Sequence, residues 1–374
     1  MPATTIPPVA HYEPAPETQE EIEYAAVPVV DFAKVHTPEG RAELAPQVRD
    51  ATRTYGFMCV VNHGLSQAQN DRMTDIANVP FTEVPEDEQM QFVSKTKELG
   101  EWKGYKPRQY WHVDNGVRDQ IHHYATVRPA FEQQHPKALQ RFLPEIRAFM
   151  EHNQSNVLHP VLRLLALGLE LPEEVFVERH QFEAEGLTFR AYLAGPPTCI
   201  LNIRPSFPRT DDDEARTKNV WMKGHTDSGT ISLLWSQPVV ALQIMSPDGK
   251  WRYVKHVPNS IIVNAGDAME MFSGGYYKAT IHRVFQPPRD QQGYTRLGLF
   301  YFAYADADVR LVPSKESPVL QRVGITRKCE DEEAPTMSAW SSMRASMYGN
   351  SETKRKGNGI EEQVVNGMVI KHYN

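Results

Sequence analysis

A double-stranded β-helix, or jelly roll, flanked by N-terminal helices and a C-terminal helix is the fold this 374-residue sequence predicts, an α+β class dominated by β structure. Three observations carry it. Beyond Gly186 the chain breaks into roughly eight short β-like runs separated by Pro, Gly, Asp and Asn, the texture of a sandwich or closed barrel. Ahead of that point, apolar residues recur at helical spacing in several stretches. The composition, 40% hydrophobic and 23% charged, is that of an ordinary globular protein and speaks against disorder or a fibrous repeat.

Residues 1–26 are rich in proline and acidic side chains, lack the basic start and apolar stretch of a signal peptide, and read as a flexible arm. The N-terminal region, 27–180, opens with a strand over 27–32, a helix over about 39–54 and a strand over 57–61 that Asn62-His63-Gly64 stops. A helix follows from about 66 to 77. Residues 100–128 are dense in aromatics, His and Arg without a clean period, and read as a loop with short strands. Between 144 and 171, Phe149, Val157, Val161, Leu164, Leu165 and Leu169 keep helical spacing, with Pro160 expected to kink or divide the run.

The barrel region, 181–312, holds the runs 187–193, 220–223, 230–235, 241–245, 251–254, 260–264, 279–285 and 296–304. Residues 209–218 are charged and form a surface insertion. The last region, 313–374, has one helix over 336–348 and then a polar stretch containing Lys354-Arg355-Lys356. Lys and Arg number 40 against 47 Asp and Glu, a formal charge of −7, so nothing electrostatic favours a nucleic-acid partner. The apolar runs are too short to span a bilayer, so no membrane partner is expected. Three scattered cysteines, Cys59, Cys199 and Cys329, fit reduced thiols and a cytoplasmic location.

The chemistry concentrates in the β-rich half. His225-Thr226-Asp227 follows a β-like run, and on extended backbone His225 and Asp227 point the same way. His282 lies on a later run. Two imidazoles and one carboxylate at one end of a jelly roll fill three positions of an octahedral metal and leave three open, a set that fits ferrous iron and oxygen. A lone His-x-Asp is ordinary turn chemistry; its order with His282 and Arg296 on expected strands is what gives it weight. Arg296 opens an apolar run, and an arginine pointing into a barrel needs an anion, for which a carboxylate is the bidentate match. His63, at a strand end, reads as a turn or packing residue. His122 and His123 would face opposite ways on a strand, which leaves one of them to line a pocket.

From about residue 27 to 350 the sequence resembles the non-haem iron, 2-oxoglutarate-dependent oxygenases of the isopenicillin N synthase-like family. The resemblance rests on Val27-Pro28-Val29-Val30-Asp31-Phe32, Tyr55-Gly56-Phe57, Val61-Asn62-His63-Gly64-Leu65, Gly224-His225-Thr226-Asp227, Leu242-Gln243, Val263-Asn264-Ala265-Gly266-Asp267 and His282-Arg283-Val284, in the family's order. It implies that His225, Asp227 and His282 bind iron(II), that Arg296 grips the distal carboxylate of 2-oxoglutarate, that Tyr192 also reaches this cosubstrate, and that O2 is the oxidant. It implies a small-molecule, secondary-metabolite substrate undergoing hydroxylation, desaturation or ring rearrangement, with release of succinate and CO2. Tyr110, Gln120, His122, Tyr124, Arg190, Trp235 and Phe302 are the expected pocket residues. Asp227 stands where a halogenase of this kind would lack the carboxylate.

The sequence also departs from the family. Gly298 replaces the usual serine two positions after the arginine, and Arg190 and Leu193 replace an Asn and a Pro near Tyr192. Two rival readings remain: an oxidase of the same fold that needs no 2-oxoglutarate, in which Arg296 holds the substrate's own carboxylate, and a barrel that binds a ligand without turnover.

Overall fold

The computed structural model describes residues 6–95, 103–127, 133–181, 188–194, 210–347, 354–357, 360–365 and 368–373, with backbone alone at 127, 188–194, 346–347 and the strands from 354 onward. In chain order the strands are β1 (Val29–Asp31), β2 (Phe57–Val61), β3 (Gly104–Lys106), β4 (His112–Asp114), β5 (Val117–Arg118), β6 (His122–Val127), β7 (Thr188–Ala194), β8 (Val220–His225) and β9 (Ile231–Trp235). They continue as β10 (Leu242–Met245), β11 (Trp251–Tyr253), β12 (Ile261–Ala265), β13 (His282–Phe285), β14 (Arg296–Ala303), β15 (Lys354–Gly357), β16 (Ile360–Val365) and β17 (Met368–Tyr373). The eight runs expected between 187 and 304 correspond to β7 through β14.

Two sheets form the jelly roll. The larger has the order β1-β2-β12-β9-β14-β7-β6-β3, and the smaller β11-β10-β13-β8-β17-β16-β15. Both faces of the larger sheet are covered, so β2 and β9 read as nearly continuous apolar runs rather than alternating ones. Helix Pro38–Thr54 starts from the Thr37 cap, whose hydroxyl accepts from the Gly40 amide. It packs against helix His159–Gly168, in which Val161, Leu162, Leu164 and Leu165 are wholly buried. Each such side chain stabilises the fold by about 1.5–3 kcal/mol. The run expected to be divided at Pro160 is divided: helix Leu143–His152 leads through a π-helical turn, Asn153–Leu158, into His159–Gly168. Pro160 is the second residue of that last helix, so the position without an N–H falls directly after the π-helical turn.

The arm differs from expectation. Residues 6–26 run extended along the barrel and are hydrogen-bonded to it: the Tyr12 hydroxyl donates to the Thr295 carbonyl at 2.9 Å, Thr18 and the Gln19 amide donate to Asp290, and the Ala25 amide donates to Tyr253. These contacts are hydrogen bonds from a proline-stiffened segment and leave no apolar period to detect. The tail differs too. Helix Met337–Met347 lies where it was expected, but the polar stretch after it forms β15 to β17, and Tyr373 pairs with Gly224 at the edge of β8.

Candidate active site

The two histidines are brought together by strand pairing. β8 and β13 run antiparallel with His225 opposite His282, and the ladder is irregular immediately beyond, between His282 and Val284. Such irregularities re-aim side chains next to functional sites. The rings stand 4.4 Å apart. Each is oriented from behind, because Nδ1 of His225 donates to the Lys223 carbonyl at 2.9 Å and Nδ1 of His282 to the Thr280 carbonyl at 3.1 Å. That fixes the tautomer and turns both Nε2 lone pairs toward the centre.

Asp227 completes the group. Its Oδ2 accepts from Ser232 Oγ at 2.6 Å and Asn264 Nδ2 at 2.9 Å, which leaves Oδ1 facing the imidazoles. Oδ1 lies 3.8 Å from His225 Nε2 and 3.7 Å from His282 Nε2. Those distances exceed hydrogen-bond range and are the spacing of donors arranged about a shared ion. Among the described residues this is the one group of His, Cys, Asp and Glu side chains near enough together to hold a metal. Burial, with His282 alongside, pushes the His225 imidazole down to about 3, so it is neutral near pH 7, as a metal ligand must be. Burial alone would raise the Asp227 carboxyl; the neighbouring imidazoles and the bonds from Asn264 and Ser232 outweigh it and hold the group below its ordinary range. Two imidazoles, one carboxylate and three open faces fit iron(II).

Arg296 shares the same cavity, which spans about 110 Å³, several times the ~10–15 Å³ that one water needs. The arginine is 4% exposed, its Nε has no hydrogen-bond partner, and among the described residues no carboxylate pairs with it. Burial lowers its pKa to about 10 against a small opposing pull from Tyr12, so it remains a cation. A buried cation with an unmet donor is a receptor for an anion, and a dicarboxylate cosubstrate fits it. Gly298 shapes this corner. A Cβ there would stand 2.6 Å from Cε2 of Phe300, so the phenyl ring occupies the space a serine would take.

The expected pocket residues divide. Phe302 lines the cavity, stacked on Phe300 with ring centroids 5.5 Å apart. Trp235 does not: its Nε1 donates to Asn70 and its ring meets Phe149 on the outer side of the sheet. Tyr124 is buried elsewhere, bonded to His135. His122 packs against Phe81 and Tyr105, and burial holds its imidazole down to about 3. Its neighbour His123 takes the other face, beside Trp111. Tyr110 and Gln120 are not among the cavity-lining residues. Tyr192 pairs with Gly298 and with His123, and Arg190 with Phe300 and Ala125, but their side chains lie outside the described residues.

Sequence reasoning missed Trp111, Ile121, Tyr304 and Arg344, which line the cavity, and the supports Ser232 and Asn264. The signal for the last two was present: each is a polar residue within an apolar strand, and they pair directly across β9 and β12. His63 is a packing residue, within 3.2 Å of the Asn259 carbonyl.

Known proteins resemble the chain in both halves. The family model described as the N-terminal part of the non-haem dioxygenases in morphine synthesis matches residues 27–145, and that of the 2OG-Fe(II) oxygenase superfamily matches 196–303. A probable 1-aminocyclopropane-1-carboxylate oxidase of Dianthus caryophyllus is 26% identical over 295 residues, which span 77% of this chain and 81% of that one. The 2-oxoglutarate-dependent dioxygenase tropC of Talaromyces stipitatus is 24% identical over 77% of this chain and 89% of its own. A full-length Neurospora crassa protein, solved in complex with alpha-KG and 5-formyluracil, has the same fold, with a TM-score of 0.70 at 19% identity over 87% of this chain and 99% of that one.

Proposed function

We propose, from the premise that this chain belongs to the 2OG-Fe(II) oxygenase superfamily, that it oxidises a C–H bond of a small, largely apolar metabolite by hydroxylation, desaturation or ring rearrangement. When bound, iron(II) with 2-oxoglutarate and O2 supplies the oxidising power, one O2 and one 2-oxoglutarate being consumed with release of succinate and CO2 for each two-electron oxidation. The observation that carries the reading is the convergence on a single cavity of three metal donors and a buried arginine that, among the described residues, has no carboxylate partner. In it, His225, Asp227 and His282 hold the metal and Arg296 holds the far carboxylate of the cosubstrate.

The remaining wall supports the substrate class. Phe57, Trp111, Met222, Leu234, Phe300 and Phe302 make it mostly apolar and aromatic, and Ser228 and Tyr304, whose hydroxyls are bonded at 3.2 Å, add a small polar patch. Such a lining favours an unsaturated or ring-containing molecule with one or two polar groups and excludes water from the reacting carbon. A second reading follows from Gly298, which supplies no hydroxyl beside Arg296: the arginine would hold the substrate's own carboxylate and no 2-oxoglutarate would be used. One experiment separates them. The full chain, loaded anaerobically with iron(II) and 2-oxoglutarate and then exposed to O2 with a metabolite panel, is expected to give products heavier by one oxygen or lighter by two hydrogens together with succinate. Oxidised product without succinate would establish the second reading.

A further inference from the structure

The three metal donors are held in place by different means. His225 and His282 lie within paired strands, so the sheet ladder fixes both. Asp227 lies beyond the end of β8, in a stretch with no ladder partner. Its backbone is held by other groups: the carbonyls of three consecutive residues each accept one hydrogen bond, Thr226 from Arg344 Nη2 at 2.9 Å, Asp227 from the Asp267 amide at 2.7 Å, and Ser228 from Trp340 Nε1 at 3.1 Å. Arg344 Nη1 also lies 3.0 Å from Asp267 Oδ2, which ties the arginine to the group that holds the middle carbonyl. Trp340 and Arg344 stand one turn apart on helix Met337–Met347, on the same face and almost fully buried. The helix is anchored in turn by Met337 and Ser338 amides donating to Val309 and Ala307.

We propose that Trp340 and Arg344 of the C-terminal helix are positioning residues for the iron carboxylate, setting the place of Asp227 through the carbonyls on either side of it. The inference rests on the metal reading given above. It goes beyond the barrel, since both residues lie after the stretch 196–303 that matches the superfamily. A ligand carboxylate is effective only when held within about 0.5 Å of its productive place. With one carbonyl released, the loop gains freedom that the metal must then restrict, so affinity for the ion falls while the histidines stay where they are.

The test uses the full-length apo-protein titrated with Mn(II), the free ion being followed by its electron paramagnetic resonance signal, with thermal midpoints of the metal-free variants measured in parallel. Trp340→Phe and Arg344→Gln are each expected to weaken Mn(II) binding about threefold to tenfold, the size of one lost hydrogen bond. Arg344→Lys, which keeps a cation beside Asp267, is expected to recover part of the loss. Trp235→Phe removes an equivalent buried bond, to Asn70 on the outer side of the sheet, and is expected to lower the thermal midpoint without changing Mn(II) affinity. Unchanged affinity in Trp340→Phe, whatever its midpoint, overturns the proposal, and this holds even if Arg344→Gln does not fold. Asp227→Ala separates the two inferences: if it binds Mn(II) as the unaltered protein does, the metal reading itself fails, whereas loss in Asp227→Ala with no loss in the helix variants removes the helix alone.

Discussion

Replacing Arg296 by methionine is expected to stabilise the metal-free protein and at the same time remove its response to 2-oxoglutarate. The guanidinium is buried, its Nε is unpartnered, and burial moves its pKa from 12.5 to about 10. At 1.36 kcal/mol per unit this is a penalty of about 3 kcal/mol on the charged form. Because the depressed value belongs to a cation, the penalty is complete at every pH below about 10 and is therefore fully present at pH 7. Methionine fills similar length with an adaptable apolar chain. Allowing for imperfect repacking, the metal-free protein should gain about 1–3 kcal/mol, a rise of a few degrees in thermal midpoint. Binding runs the other way. A carboxylate paired with this guanidinium in a closed cavity contributes about 3–5 kcal/mol relative to the broken pair, two to four orders of magnitude in affinity. Thermal melts with and without Mn(II) and 2-oxoglutarate, backed by calorimetric titration, read both effects. A lower midpoint in the metal-free variant would show that the buried cation is not a net cost to the fold, and an undiminished 2-oxoglutarate shift would remove Arg296 from the cosubstrate site.

Three more expectations concern the supports of the site and the fold. Ser232→Ala and Asn264→Ala each free Asp227 Oδ2 from one bond and should weaken Mn(II) binding ~10–100-fold by calorimetry; affinities equal to the parent would make those bonds idle. Gly298→Ser should cost about 1–3 kcal/mol of stability rather than tighten 2-oxoglutarate binding, since its Cβ meets the Phe300 ring at 2.6 Å; a stable variant with higher affinity would contradict the packing account. His180 is buried between the Phe176 carbonyl and Thr230, and burial holds its imidazole down to about 4. The unfolded chain takes up a proton at 6.5 that the folded one refuses, so stability is intact above pH 6.5 and is lost as pH falls toward 4, by up to about 3 kcal/mol. His180→Gln should narrow, without abolishing, the difference in urea midpoint between pH 7 and pH 5, since His122 and His225 are also held down; an unchanged difference would assign that acid sensitivity elsewhere.

The barrel was legible because β7 to β14 are bounded by turn residues, and His225, His282 and Arg296 stand out as polar groups on its strands, with Asp227 two residues past His225. Facing direction was less legible. Trp235 ends β9, which is buried along its whole length, so no alternation marks which residues point inward; Leu234 lines the cavity and Trp235 packs outward. His122 and His123 were separable only through the β6 neighbours that each meets. The tail carried an overlooked sign, since Val364-Val365-Asn366-Gly367-Met368 places an Asn-Gly pair between apolar residues, a hairpin signal, and β16 pairs with β17 around it. The Trp340 and Arg344 contacts were beyond reach: they join residues 112 and 118 positions apart through backbone carbonyls, which leave no mark in a sequence.

Whether this chain couples 2-oxoglutarate decarboxylation to substrate oxidation at the Asp227 site is read from the ratio of succinate formed to O2 consumed, with iron(II) and a panel compound that is turned over, in the parent protein and in Asp227→Ala. A ratio of one, with neither succinate nor O2 uptake in Asp227→Ala, is the predicted result. O2 uptake without succinate, or succinate formed at the parent rate by Asp227→Ala, would contradict the account.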